Sequence, residues 1–296
     1  MAMPQFSNLF KRGRRNRGDF KIRLLTAFVI VLFSLISYVA SSKINPITGE
    51  SQKVGGLTTD QEIQMGLTSM PSLVQEFDGQ SPNQDWQQIV DYVGARLLNA
   101  LQQRLAARGI SNPYPFDFHL LADRDTINAF ALPGGQVFIT EALILQLAKS
   151  VTRDRFESRL AGVLGHEIGH VIERHSAQRM AKARLMQGFA NSAGVAGGDV
   201  NSAQVAAAVG SMVLKGNSRA HELESDRWGV ELMVFAGYDP RALNDVMDVL
   251  EQASAGNGAP ELLSTHPKPA NRREYINRII DEKFPDGIPG NLKRLP

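Results

Sequence analysis

His166 and His170 stand four residues apart in the run His-Glu-Ile-Gly-His, with Glu167 directly after the first of them. On an α-helix, side chains four apart lie one above the other, so two imidazoles at this spacing can meet one Zn²⁺ at about 2.0 to 2.1 Å from each nitrogen. Glu167 falls about 100° around the same helix, close to the open position of such an ion but not among its ligands. The chemistry implied is metal-assisted amide hydrolysis: Glu167 accepts a proton from a metal-activated water, whose oxygen attacks a carbonyl without a covalent enzyme intermediate. The short motif by itself is equally compatible with two histidines on the surface of an ordinary helix. With no cysteine in the chain, disulfides, thiolate sites and a cysteine nucleophile are excluded, and any metal must be held by His and carboxylate.

A catalytic zinc site takes three protein ligands and keeps a fourth position open. The run His-Glu-Leu-Glu-Ser-Asp, His221 to Asp226, offers Glu222 and Glu224, and spacing from the first motif does not choose between them. Helix faces do. Glu222 shares a stripe with Asp226, Gly229, Val230 and Met233, an inward-looking set, whereas Glu224 shares one with Arg227 and Glu231, a solvated set. The two glutamates point about 200° apart, so only one reaches His166 and His170, and Glu222 is the expected ligand. Gly165 and Gly169 each cost about 1 kcal/mol in a helix interior, which fits a close approach by another backbone, or simply tight packing of a core helix.

HEIGHVIERHS, then HELESD, then STHP, preceded by NAFALPGGQVFIT (Asn128 to Thr140), resembles the gluzincin peptidase family that includes the CAAX prenyl endopeptidase, the HtpX-type heat-shock protease and the BepA-type periplasmic proteases. The match runs from about Asn45 to Arg278. The resemblance implies a zincin-like fold, one Zn²⁺ per chain on His166, His170 and Glu222, and protein or peptide substrates. It implies that Asp226 holds a ligand imidazole through its free N–H. It also implies that His266 approaches the metal's open position as a transition-state donor and that Arg272 supports the site; the residues alone would leave His266 in a loop stiffened by Pro267 and Pro269. A role in quality control of envelope proteins rests on this resemblance alone. His175 reads as a helix-surface residue or a neighbour of the ligands, and His119 and His221 as structural.

These residues need elements to hold them. Thr59 and Glu62 have capping-box spacing ahead of a helix limited by Pro71, and Ile89, Tyr92, Val93, Arg96, Leu97, Ala100 and Leu101 mark a second amphipathic helix. The period falls to two at Phe116, Phe118 and Leu120 and again over Gly135 to Thr140, which predicts a small sheet; Gly134 to Thr140 is the candidate edge to which a peptide could add itself as a strand. One helix is expected from about Phe156 to Met186. The Gly/Ala/Ser-rich stretch from Gly188 to about Gln204 is either a lid or a weakly ordered connection. The fold class expected is α+β, mainly helical, with a small sheet and one preceding transmembrane helix.

Leu24 to Ala40 is uncharged and mostly apolar, about 25 Å long as a helix, and Phe20 to Ser42 completes a span. Lys11, Arg12, Arg14, Arg15, Arg17, Lys21 and Arg23 precede it against Asp19 alone, which places the amino terminus in the cytoplasm and the rest outside, periplasmic in a bacterium. A cleaved signal peptide, with Val39 to Ser41 as the processing site, is the rival reading. The expected order is a basic cytoplasmic segment (1–19), an inner-membrane anchor (20–42), a polar tether (43–54), a catalytic domain (55–283) and an irregular tail (284–296). Since the formal net charge of the whole chain is only +2, everything after Arg23 is net acidic, and no nucleic-acid footprint remains. A zinc-stabilised chaperone or adaptor that binds without cutting is the competing class of function. Neither oligomeric state nor cleavage preference is legible.

Overall fold

The computed structural model describes residues 17–197, 217–257, 260–266, 271–289 and 292. The loop prolines Pro267 and Pro269, most of the basic segment and the stretch beyond Gly197 lie outside the described residues. The chain forms two compact units. One holds α1 (Arg17–Ala40) together with the distal half of α6 (His175–Gly197). The other holds the candidate site and almost everything else.

In the larger unit, β1 (Ser42–Ile44) and β2 (Ser51–Lys53) pair antiparallel, so the expected tether is a hairpin. The hairpin is docked. Ile47 at its turn is fully buried in the main core, and Asn45 Nδ2 donates to Ile172 O at 2.7 Å. Next come α2 (Thr59–Glu76) and α3 (Gln84–Ala106). The capping box of α2 belongs to Thr58 and Gln61, one residue ahead of the expected pair, because Glu62 is drawn inward to Arg174. Pro71 lies within α2 and does not end it; the helix runs a further turn to Glu76.

The sheet contains β3 (Asp117–Leu121), β4 (Ala129–Ala131) and β5 (Gln136–Thr140) in the order β3-β5-β4, β5 parallel to β3 and antiparallel to β4. This corrects the candidate edge: β5 is the central strand, buried at every residue, and cannot accept a peptide. The outer edge of β3 is capped, with Ser81 N donating to Leu120 O and Gln87 bonding both Phe118 O and Leu120 N. The edge left is β4. Thr140 N donates to Asn128 O and Leu132 N to Gln136 O, which turns Asn128, Phe130 and Leu132 toward β5 and the main-chain groups of Ala129 and Ala131 outward.

After α4 (Glu141–Ala148), α5 (Arg153–Ile172) starts at the N-cap Thr152 and is buried from Phe156 to its end, so it is the central helix of the unit. It ends short of the expected Met186. Arg174 takes a left-handed φ of 57°, and its guanidinium is fastened to the buried Glu62 at 2.8 Å and to Leu57 O at 2.8 Å, so a new helix begins at His175. The stretch from Gly188 to Gly197 is helical, the end of α6, where an interruption was expected. Then follow α7 (Arg219–Phe235), α8 (Ala242–Asn257), the short α9 (Glu261–Thr265) and α10 (Arg272–Lys283). The most extensive packing is between α5 and α7. A Cβ on Gly169 would lie 2.9 Å from Ser225 Cα, and one on Gly165 would lie 3.2 Å from Gly229 Cα. The glycines let two backbones touch where both helices carry site residues.

Candidate metal centre

α5 stacks His166 and His170 so that their Nε2 atoms are 3.0 Å apart. Ser218 caps α7 and sets Glu222 in its first turn. Because α7 lies so close to α5, Glu222 Oε2 reaches 3.4 Å from His166 Nε2 and Oε1 reaches 3.5 Å from His170 Nε2. His266, on the turn after α9, brings Nδ1 to 3.3 Å from His166 Nε2, 3.2 Å from His170 Nε2 and 3.1 Å from Glu222 Oε1. All four donors are buried and fall within 4.8 Å of one another. Metal–ligand distances of about 2.0 to 2.1 Å make the edge of a regular tetrahedron about 3.3 to 3.4 Å, so the separations among the three imidazole nitrogens and the nearer Glu222 oxygen in each case suit a zinc-sized centre. Glu222 Oε2, buried and held in ion-pair contact with Arg272, keeps a lone pair that such an ion takes. The donor set fits zinc.

The groups behind these donors fix their orientation. Asp226 Oδ1 lies 2.9 Å from His166 Nδ1, and Arg272 clamps the same carboxylate at 2.7 and 2.6 Å while its third nitrogen lies 3.2 Å from Glu222 Oε2. Such a pairing aims the other nitrogen of His166, Nε2, at the centre. His170 is held differently: its Nδ1 is 2.7 Å from His175 Nδ1, and His175 Nε2 is 2.8 Å from Glu224 Oε2. With Nε2 of His170 turned to a metal, its Nδ1–H donates to His175, whose own N–H then donates to Glu224. His175 also stacks on His221 at 4.1 Å, which gives His221 its structural place; His119 stacks on Phe138 at 4.8 Å.

The electrostatics follow from burial and these contacts. Burial opposes charge on His166, yet Asp226 and Glu222 outweigh it and push the imidazole up to about 9. Burial, reinforced by His166 and His266, holds His170 well below the ordinary histidine range, and burial brings His175 down to about 3. Burial alone would raise Glu222, but His266 and His166 hold it below the usual carboxylate range. Glu167, fully buried with its Oε1 3.6 Å from His266 Nε2, is raised, because burial outweighs the opposing influence of His266 and His166.

The structure thus places His166, His170 and Glu222 together with His266, with Asp226 and Arg272 behind them and Glu167 beside them. The face argument for the Glu222 region needs one correction. Glu231 is buried in ion pairs with Arg104 and Arg227, and Glu224 is half-exposed and bonded to His175, so their stripe is only partly solvated. Of the two readings of His175, helix surface or neighbour of the ligands, the structure gives the second, a direct partner of His170, whereas Asn217, whose Nδ2 is 3.4 Å from both His170 Nε2 and His266 Nδ1, was not expected. Five-residue spacing from His170 was the available signal for His175; Asn217, just before the N-cap of α7, gave none.

A His-Glu-x-x-His helix and a glutamate on a second helix, all buried on one donor cluster, define a gluzincin-type metallohydrolase. The chain belongs to peptidase family M48, whose family model matches residues 94–280. It is 32% identical over 232 residues to the beta-barrel assembly-enhancing protease of Escherichia coli (strain K12), an alignment covering 73% of this chain and 43% of that protein. It is 33% identical over 183 residues to the mitochondrial metalloendopeptidase OMA1 of Schizosaccharomyces pombe (62% of this chain, 51% of that one) and 27% identical over 291 residues to the OMA1 metalloendopeptidase of Bos taurus (94% and 53%). The chain spans about half the length of the curated relatives it matches.

Proposed function

We propose that the chain is a zinc-dependent endopeptidase acting on protein substrates, anchored in a membrane by α1 with its catalytic unit on the extracytoplasmic side. The observation that carries the reading is the buried donor cluster, at separations that suit a zinc-sized centre, with the raised carboxyl of Glu167 beside it. A Zn²⁺ held by His166, His170 and Glu222 supplies Lewis-acid polarisation of a carbonyl and a water acidified toward a pKa of about 7. His166, His170 and Glu222 stand on two helices packed backbone to backbone and would hold the ion, whereas His266 stands on a turn and would be the donor free to act on the substrate. Displaced by a short movement, His266 remains beside the reacting carbonyl as a donor to the developing oxyanion. Glu167 takes the proton of the attacking water and passes it to the leaving amine, a task suited to a carboxyl raised toward neutrality by burial. Arg272 and Asp226 hold the imidazole of His166 and balance Glu222.

A substrate strand pairs with the outward main-chain groups of the half-buried Ala131 on β4, which packs beside α5. An apolar cavity walled by Val163, Leu243, Val246, Met247 and Leu262 opens next to Glu167 and His166 and receives a side chain of the substrate. Substrates in envelope protein quality control fit the name of the bacterial relative, a beta-barrel assembly-enhancing protease. Casein cleavage by the purified full chain, abolished by chelator and restored by zinc, tests the reading. Zinc-dependent binding of unfolded protein without cleavage would establish the chaperone or adaptor instead.

A further inference from the structure

Within the smaller unit, α1 carries one covered stripe on an otherwise bare cylinder. Ala27, Ile30, Val31, Ser34 and Tyr38 recur at helical spacing and are buried or half-buried, while Phe28, Phe33, Ile36 and Val39 are exposed. The distal half of α6, from residue 183 to 197, belongs to the same unit. The two helices meet at Gly188: a Cβ there would lie 2.0 Å from Ser34 Oγ and 2.7 Å from Ser34 Cβ, a contact only glycine permits.

That contact fixes a depth. Ser34 precedes the end of α1 at Ala40 by about 9 Å of helix axis, so a residue seated on Ser34 lies well inside the hydrocarbon when α1 spans a bilayer. The α6 segment suits that environment. No residue from Leu185 to Gly197 is charged. Its polar side chains bond in part within the segment, Gln187 Nε2 donating to Asn191 Oδ1 at 2.9 Å on the exposed face and Ser192 Oγ to Phe189 O at 2.8 Å, and hydroxyls of α1 behave alike, Ser34 Oγ donating to Ile30 O and Thr26 Oγ1 to Ile22 O. Internal satisfaction is what a lipid surround demands. Charge also fixes the direction. Arg184 precedes Gly188 by about 6 Å of helix, which puts it near the Ala40 end when α6 runs antiparallel to α1 and at the bilayer centre when it runs parallel. Only the antiparallel course lets the guanidinium reach the interface.

We propose that the distal half of α6 is seated in the lipid bilayer along α1, as a second membrane-embedded element. The proposal rests on the reading of α1 as a membrane span, and it replaces both lid and loose connection for residues 188–197. The absence of cysteine makes the test clean. Single-cysteine variants Phe33→Cys, Phe189→Cys, Val195→Cys and Asp60→Cys of the full chain are labelled with bimane and reconstituted in phosphatidylcholine vesicles with and without brominated acyl chains. Phe33 reports on α1, the exposed Asp60 on the aqueous unit, and two α6 positions guard against one disturbed variant. The expected result is several-fold quenching by brominated lipid at positions 33, 189 and 195 and none at 60. Quenching at 33 with 189 and 195 behaving like 60 overturns the inference while the anchor stands; no quenching at 33 removes the anchor and the inference with it.

Discussion

At the scale of single residues, the roles divide into groups that hold the metal and groups that act on the substrate, and metal content separates them. Glu167 is buried beside the donor cluster without being one of its corners, so Glu167→Gln should lose proteolysis by at least about 10²-fold while zinc stays near one per chain. Loss of metal from that variant, by elemental analysis after dialysis, would contradict the assignment. Glu222→Ala should lose both zinc and activity. Asp226→Ala, which releases His166 and leaves Arg272 paired with Glu222 alone, should weaken zinc affinity by about 10- to 100-fold. Glu224→Ala should do far less, because Glu224 reaches the cluster only through His175 and His170 and is half-exposed. A Glu224 variant emerging zinc-free beside a loaded Glu222 variant would reverse the choice of ligand. For His266→Ala the expected result is lost turnover with zinc retained; raised turnover would mean that this imidazole only blocks the fourth corner. The place of Glu222 in the buried cluster was legible because helical periodicity is a property of the chain alone. The contact of His175 with His170 was not, because it depends on the reversal at Arg174, whose left-handed backbone is maintained by Glu62, a residue over a hundred positions away.

At the scale of elements, the glycines of α5 announced a close neighbour, and the structure supplies it as α7. Adding a methyl at Gly169 would bring it 2.9 Å from Ser225 Cα and 3.0 Å from Trp228 Cβ, atoms that cannot swing aside. Overpacking of about 1 to 3 kcal/mol outweighs the gain in helix propensity of about 1 kcal/mol, so Gly169→Ala should lower the urea midpoint and, by shifting α7 and Glu222, weaken zinc binding. An unchanged midpoint would show that the helices have room to part. A second element-scale link joins the β1–β2 hairpin to the end of α5, where Glu173 accepts from Trp228 Nε1 at 2.6 Å and from Gln52 Nε2 at 3.1 Å. Burial pushes Glu173 up to about 7 from 4.5, so between these values the folded chain keeps a proton that the unfolded chain has released. Its stabilising contribution is full below about pH 4.5 and is lost as the pH rises to about 7. Against Glu173→Gln, which has no such proton, the wild-type advantage in urea midpoint should fall across this window and be flat above it. The strand order escaped the sequence for a related reason: a three-residue β4 is too short to show a period, so β5, the strand with the visible alternation, stood for the edge when it is the centre.

At the scale of the whole molecule, hydropathy averaged over the α1 segment is a strong signal, and the helix Asp19–Ala40 has the length and composition of a membrane span with its apolar side chains exposed. The hairpin that follows gave only a polar stretch with Pro46 and Gly49, since its order comes from long-range bonds to Ile172 and Glu173 rather than from local pattern. Orientation follows from charge. The basic residues before the span outnumber Lys43 just after it, which supports the proposed placement of the amino terminus in the cytoplasm and of the metallopeptidase unit across the membrane. A reporter joined after Val54 should therefore be active only outside the cytoplasm, and the full chain should remain with membranes after carbonate washing. Recovery of a shortened chain in the carbonate supernatant, beginning near Ser41, would identify the segment as a cleaved signal. Substituting Lys11, Arg12, Arg14 and Arg15 by Glu separates the two causes of retention: an anchor oriented by charge should invert in a measurable fraction of molecules and carry the reporter into the cytoplasm, whereas membrane attachment, which depends on the apolar length of α1, should persist.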